Sequence, residues 1–506
     1  MKQEIKQQSI LKSGAYTMSM GLIGKVFGFV TSLLTAYLFG ANSKTDVIFF
    51  TCLIVFTLST LFSAYNSNIL LPQLIKSNAI EKSKLINYSF TILFISLSFL
   101  LAFLFYFHQE FLLQFSHFKL QHLQESKLGI LLLLPILLLQ PVNDLMINIA
   151  QSFKNYNLSN ISSLITGICN ISCLILFSQN FQENSLALGF LLAAIIQTFL
   201  FYIYLFKRGL HPKFSFSKPE SSSLINSLLI PTFLLQIASS FLLVLPDFFA
   251  SSLEAGTLSL ISYGKRIFDL IPTLFIYPII LVFYPRICEW LDNHDKSIIQ
   301  KKLYHLLKSF FVFLYPCAIF FLIYSSDLIY LFFGKTNLSM QQLKVSSNCL
   351  QLFALSTPAF IIASFSGRIL AASQNKLVFY LQVLGQLTGS IFLYFMILFT
   401  IKDYGYVAIM VSLLVYHLVY SQIVNLILIK KYIFSFSFFG IFSLEAIFVV
   451  TPLLIAFVTY NLKVKLSFDF KTNIAISIGT FIILTLSYWF SYYQKNKKTL
   501  LKLLEN

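Results

Sequence analysis

About fourteen apolar runs, each long enough to cross a bilayer, follow one another along this chain with only short polar breaks between them. They fall near 15–40, 47–73, 87–108, 128–152, 157–179, 185–206 and 223–251. The series continues near 257–287, 304–326, 344–372, 377–400, 404–429, 437–460 and 471–492. Hydrocarbon offers no water to backbone N–H and C=O groups, so a spanning segment must be a helix or part of a closed barrel. Barrel strands are short and alternate in polarity, unlike these continuous runs. The expected fold class is therefore an all-α polytopic membrane protein of about fourteen transmembrane helices. Of the 506 residues, 57% are apolar and only 11% charged, against about 25% charged in a soluble domain.

The net charge of +17 raises nucleic acid as a partner, but the distribution of the basic residues excludes it. Lys2, Lys6 and Lys12 precede the first run, Lys76, Lys82 and Lys84 follow the second, and Lys207, Arg208, Lys213 and Lys218 follow the sixth. Arg286, Lys296, Lys301 and Lys302, then Lys430 and Lys431, then the terminal lysines from Lys495 onward fall on the same side. By the positive-inside rule both termini are expected in the cytoplasm, which requires an even number of spans. The polar start MKQEIKQQSILKSG and the full length of the first run argue against a cleaved signal. The six cysteines are scattered through the runs and read as small packing residues. His108, His117 and His122 lie in the polar stretch 108–127 without cysteine neighbours. That stretch is expected to be an amphipathic external segment, and no metal site is expected.

Charges inside the runs carry the functional argument. Lys265, Arg266 and Asp269 lie about one turn or more into the eighth run, and Lys25 lies near the middle of the first. A charge at such depth costs about 2.5–3.5 kcal/mol on insertion scales, so it is expected to face a wet cavity or a partner. The i, i+3 spacing of Arg266 and Asp269 lets the carboxylate partly neutralise the guanidinium on one helical face. Asp247, beside Pro246, and Asp144, near Pro141, are candidates either to bind a coupling cation or proton or to cap a broken helix.

The chain also carries traces of an internal repeat. NILLPQLIK at 68–76 and LVFYPRICE at 281–289 end the second and eighth runs alike, and Ala150 to Gly167 is matched in spacing by Ala372 to Gly389. The expected organisation is an N-lobe over 1–206, a cytoplasmic linker KRGLHPKFSFSKPESS at 207–222, a C-lobe over 223–431, and two further helices with a tail over 432–506.

Several stretches, taken in order, resemble one known family. These are GLIGKVFGFVTSLLTAYLFGANSKTDVIFF at 21–50, DFFASSLEAGTLSLISYGKRIFDLIP at 247–272 with LVFYPRI behind it, and YPCAIFFLIYSSDLIYLFFGKTNLS at 315–339. SFSGRILAASQNK at 364–376 and DYGYVAIMVSLLVYHLVYSQIVNLILIKK at 403–431 continue the series. The chain resembles the MurJ/MviN family of lipid II flippases, within the multidrug/oligosaccharidyl-lipid/polysaccharide exporter superfamily. The resemblance implies two six-helix lobes in a V around a cationic cavity, with two C-terminal helices lining a groove for a polyprenyl tail. It places a cavity arginine of the first helix on Lys25, one of the eighth helix on Arg266, the following acidic residue on Asp269, and the aspartate opening the second helix on Asp46. This sequence departs from the pattern at Thr31, where a second basic residue is usual, and over Ser59 to Asn66, where a charged cluster is replaced by neutral residues.

The function expected on these grounds is transport without chemistry. A polyprenyl-diphosphate-linked saccharide, foremost the peptidoglycan precursor lipid II, is carried from the cytoplasmic to the outer leaflet of a bacterial inner membrane by alternating access. Lys25, Arg266 and Lys265, with Asp46 and Asp269, are the expected diphosphate-binding residues. O-antigen, capsule or other surface-polysaccharide units are the alternative cargo, followed by cationic drugs. No cofactor is expected; the driving force is expected from the membrane potential, about 2.3 kcal/mol per charge per 100 mV, or from a monovalent cation. Cell-wall synthesis proteins are candidate partners.

Overall fold

The structure, a computed structural model, describes residues 10–153, 155–219, 222–270, 287, 296–372, 376–433, 450, 452–461 and 470–505. By contacts the chain divides into two compact units. The first comprises Met1–Leu260, Lys335–Leu338 and Ile397–Ile409; the second comprises Ile261–Gly334, Ser339–Met396 and Met410–Asn506.

The first unit contains α1 (Ile10–Phe39), α2 (Ser43–Tyr65), α3 (Leu71–Lys76), α4 (Ala79–Phe115), α5 (Leu120–Glu125) and α6 (Lys127–Leu133). It continues through α7 (Ile136–Ser152), α8 (Asn157–Phe181), α9 (Asn184–Phe206), α10 (Ser222–Ala250) and the first residues of α11 (Thr257–Phe268). Local chemistry sets the starts. The Asn42 side chain accepts the N–H groups of Lys44 and Thr45 at 2.9 Å, and the Thr45 hydroxyl accepts the Asn42 N–H, a reciprocal cap on α2. Asn78 caps α4 by accepting the Glu81 N–H at 2.9 Å. Because of this cap, α4 starts earlier than the third run suggests, and it continues past it to Phe115 with a local break at Phe107. The polar stretch 108–127 is accordingly mostly helical, made of the last turns of α4 and of α5. Its His117 donates a backbone N–H to Ser251 Oγ at 2.8 Å and sets its ring against Phe248. Among the described residues no cluster of His, Cys, Asp and Glu is suited to a metal ion.

Helix α7 is the centre of this unit, packing against α2, α4 and α9, while α1 lies on α8 and α10 on α2. Leu97, Leu137, Leu145, Leu174 and Leu205 are fully buried there. Lipid tails are as apolar as leucine, so packing and interhelical hydrogen bonds must hold the helices together. Asn143 donates to the Ala194 carbonyl and accepts from Thr198, and Gln197 donates to Ser162 and Thr166. Each such link contributes about 0.6 kcal/mol on average in a membrane protein.

The second unit is organised on the long helix Lys296–Phe333, which packs against Met340–Leu355, Thr357–Ala372 and Phe470–Glu505. The charged stretch that leads into the ninth run belongs, from Lys296 onward, to this same helix. The tenth run, read from sequence as one span, bends by 53° between Met340–Leu355 and Ala359–Gly367; Pro358 at the junction disfavours a straight helix. Tyr324 donates to Thr459 at 2.9 Å, and the Trp489 indole donates to the Val312 carbonyl at 2.9 Å, tying C-terminal helices to the long one.

Among the described residues ten helices are long and apolar enough to cross a membrane, or eleven if the bent pair counts as one span. Shorter apolar helices occupy Ile23–Phe39 in the first run and Pro452–Asn461 in the thirteenth. Residues 271–286 of the eighth run and 434–449 around the start of the thirteenth lie outside the described residues. The protein is an all-helical polytopic membrane protein, with no strand among the described residues.

Candidate functional site

The cations singled out in the sequence are displayed by one local device. On α11, Tyr263 and Ile267 are buried, and Tyr263 stacks on Phe333 with ring centroids 5.3 Å apart. Gly264 lets this face approach the helix Met340–Leu355 closely: a Cβ there would stand 2.6 Å from the Ser346 carbonyl oxygen and 3.1 Å from Cys349 Cβ. With that face fixed, the next two side chains, Lys265 and Arg266, are exposed. In the first unit, a Cβ on Gly24 would stand 2.5 Å from Ser163 Cβ, which seats α1 on α8, and the following Lys25 is exposed. Each unit thus turns a Gly-Lys dipeptide into a helix contact followed by a displayed positive charge.

Asp269 lies just past the end of α11, half-buried, with its backbone N–H donating to the Lys265 carbonyl at 2.8 Å. The ion pair expected from its spacing with Arg266 does not form among the described residues, the guanidinium being exposed while the carboxylate is half-buried. His417, which the sequence argument passed over in an apolar run, lies within electrostatic reach of Lys265 and has a buried Nδ1 without a hydrogen-bond partner.

Asp46 occupies a different setting. It is 3% exposed and accepts the backbone N–H of Gly256 at 2.6 Å, the N–H of Ser259 at 2.8 Å and the Ser259 hydroxyl at 2.6 Å. The Ser259 hydroxyl also contacts Thr45 Oγ1 at 3.0 Å. These donors belong to the start of α11, where the first-turn N–H groups lack intrahelical partners and the helix dipole favours a negative charge. Asp46 therefore caps α11 from α2. Nothing in the local sequence of either segment announces a partner more than 200 residues away.

Asp144, on α7, is half-buried and accepts from the Ser63 hydroxyl and from Gln140 Nε2, the latter at 3.1 Å. Asp247, on α10, is half-buried, and its backbone carbonyl accepts the Ser251 N–H at 3.0 Å.

Comparison with known proteins identifies the family and the fold. The family profile described as lipid II flippase MurJ matches residues 35–481. A protein of Buchnera aphidicola subsp. Schizaphis graminum (strain Sg), named probable lipid II flippase MurJ, is 24% identical over 370 residues, covering 70% of this chain and 71% of the relative. A Rickettsia prowazekii (strain Madrid E) protein of the same name is 21% identical over 370 residues, covering 70% and 72%. Among solved structures, a lipid II flippase MurJ in an inward closed conformation shares the fold, with a TM-score of 0.79, 18% identity and coverage of 94% of this chain and 99% of that one. An inward-facing multidrug resistance MATE family transporter of the MOP superfamily is more distant, with a TM-score of 0.65, 12% identity and coverage of 86% and 99%. With the profile running from the end of the first helix into the last, the chain belongs to the lipid II flippase MurJ family.

Proposed function

We propose that this protein carries lipid II from the cytoplasmic to the outer leaflet of the bacterial cytoplasmic membrane by alternating access, with both termini in the cytoplasm. Besides family membership, the reading is carried by one observation: Lys25, Lys265 and Arg266 are exposed cations on otherwise apolar helices. A diphosphate bears about two negative charges, and moving it through a low-dielectric region requires donors that replace its water. Charge-assisted hydrogen bonds to phosphate are roughly twice as strong as neutral ones. Arg266 can offer two parallel donors and the lysines point charges. Asp269, near Lys265, tempers the local positive field so that the headgroup can leave again. Asp46 serves this site by holding the start of α11. The lobes over 1–206 and 223–431 supply the moving parts, and the membrane potential or a monovalent cation resets them. No covalent bond is made or broken in this cycle, and cell-wall synthesis proteins are its natural partners.

The test is growth of a bacterium depleted of its own lipid II flippase, paired with flipping in proteoliposomes. Rescue with normal wall synthesis, lost in Arg266→Ala and in Lys25→Ala, is the expected result. Unchanged flipping in both variants overturns the cation assignment. Failure to rescue despite stable membrane insertion overturns lipid II as cargo and turns attention to a surface-polysaccharide repeat unit.

A further inference from the structure

We infer that the first unit contains a sodium site on the seam between α2 and α7, built from Asp144, Asn66, Ser63 and Gln140. The inference concerns ion binding and stands whether or not the cargo is lipid II.

Two features on that seam are incomplete as protein alone. The Asp144 carboxylate, half-buried at membrane depth, receives one neutral donor on each oxygen, from Ser63 and from Gln140, and no basic side chain pairs with it among the described residues. A carboxylate offers about four acceptor sites, so half its capacity and all of its charge are unmatched. Asn66 is fully buried; its Nδ2 donates to the Pro141 carbonyl at 3.0 Å, while its Oδ1 has no partner. A buried amide oxygen left in that state calls for a water or an ion.

The two features lie about one helical turn apart on facing helices. Helical side chains lean toward the N-terminus of their helix, so Asn66 reaches back over the turn of Ser63, and Asp144 over the turn of Pro141. The contacts follow that rule, Ser63 meeting Asp144 and Asn66 meeting Pro141. The backbone is adapted on both sides. Asn66 opens a π-helical turn, Asn66–Leu70, between α2 and α3, and Pro141 inside α7 has no N–H for the Leu137 carbonyl one turn before it.

The chemistry of the set selects the ligand. Carboxylate, amide, hydroxyl and carbonyl oxygens suit a hard cation, and the absence of His and Cys from the set disfavours transition metals. A single formal negative charge balances one monovalent ion and leaves a divalent one under-compensated. Sodium, bound there, would fill the Asn66 Oδ1 vacancy and neutralise Asp144 while tying α2 to α7.

The experiment uses the full-length protein in detergent, with sodium chloride exchanged for choline chloride at constant ionic strength and the thermal midpoint as readout. A ligand that binds only the folded state raises the midpoint; a shift of about 2–5 °C is expected at saturating sodium. Asp144→Asn should abolish the sodium-dependent part while still melting cooperatively in choline chloride. Ser63→Ala and Gln140→Leu should weaken it, and Asn66→Asp should add a response to calcium. The inference is overturned if wild type shows no sodium-dependent shift, or if its midpoint follows pH and not sodium. It is equally overturned if Asp144→Asn keeps the full shift, which would place the ion elsewhere. Should Asp144→Asn fail to fold, an undiminished shift in both Ser63→Ala and Gln140→Leu overturns it as well.

Discussion

The Asp46 carboxylate on α2 receives both the backbone N–H of Ser259, at 2.8 Å, and its hydroxyl, at 2.6 Å, so one side chain closes the start of a helix that lies far along the sequence. With the Gly256 N–H as third donor, Asp46→Ala leaves a buried set of donors unpaired. Hydrogen bonds to a charged group contribute about 1.5–3 kcal/mol, and leaving buried donors unpaired adds to the loss. Asp46→Ala should therefore cost about 2–4 kcal/mol, whereas Ser259→Ala, which removes only the hydroxyl, should cost about 1–1.5 kcal/mol. Thermal unfolding of the purified variants checks the order; a milder effect of Asp46→Ala than of Ser259→Ala would contradict the capping role.

Gly256 makes the same point from the backbone. Its φ is +93°, a region L side chains rarely adopt, and a Cβ there would stand 2.6 Å from the Ala41 carbonyl oxygen. Gly256→Ala must twist the turn or push Ala41 away, and either movement withdraws the N–H given to Asp46. A loss of about 2–4 kcal/mol is expected from strain, clash and the lost bond together. Since both substitutions strike one network, their effects should not add. A double variant with Asp46→Ala as destabilised as the sum of the two singles would show the sites to be independent.

How much of this was legible in the sequence follows from the range of each interaction. Spans are local: apolar length reveals them, and Asn42 and Asn78 mark starts through caps written within three residues. The depth of Lys25 and Arg266 in their runs is also a local property, and both side chains are exposed on α1 and α11. Asp46 illustrates the opposite case. Family position pointed to the diphosphate site, but its partners Gly256 and Ser259 come from another part of the chain, and only the folded unit shows the capping geometry. Asn66 was likewise silent, because an amide in a neutral stretch becomes informative only when its carbonyl oxygen is seen to be buried and unpartnered. The bend after Leu355 lay between these cases: Pro358 was visible, but an uninterrupted apolar run outweighed it.

The cations should separate charge from geometry. Arg266→Ala removes both, and the loss of a charge-assisted contact of about 1.5–3 kcal/mol corresponds to a flipping rate about 10–100-fold lower. Arg266→Lys keeps the charge without the planar fork and should fall between wild type and Ala. Lys25→Arg adds a fork to an existing charge and should retain at least wild-type flipping. Single-turnover flipping in proteoliposomes ranks the three; equal rates for Arg266→Lys and Arg266→Ala would show that bidentate geometry, not charge, is what the site requires, and a severe defect in Lys25→Arg would remove Lys25 from the headgroup site.

Within the second unit, Ile323 of the long helix and Leu453, Leu454, Phe457 and Tyr460 of Pro452–Asn461 line an apolar groove of about 550 Å³. A polyprenyl tail gains little by leaving lipid for such a groove, because both are hydrocarbon. If the tail of the proposed cargo runs there, the groove would contribute guidance, keeping the tail in one track while the headgroup moves. Leu454 is 60% exposed, so its replacement leaves the packing of the unit intact. A glutamate there costs about 2.5–3.5 kcal/mol unless it draws in water, and water in the track opposes an isoprenoid. Leu454→Glu should raise KM about tenfold or more for a long-tailed substrate and leave a short-tailed, water-soluble analogue with the same headgroup unaffected. Equal loss for both substrates would mean that the substitution damages the unit as a whole, and no loss for either would mean that the tail runs elsewhere.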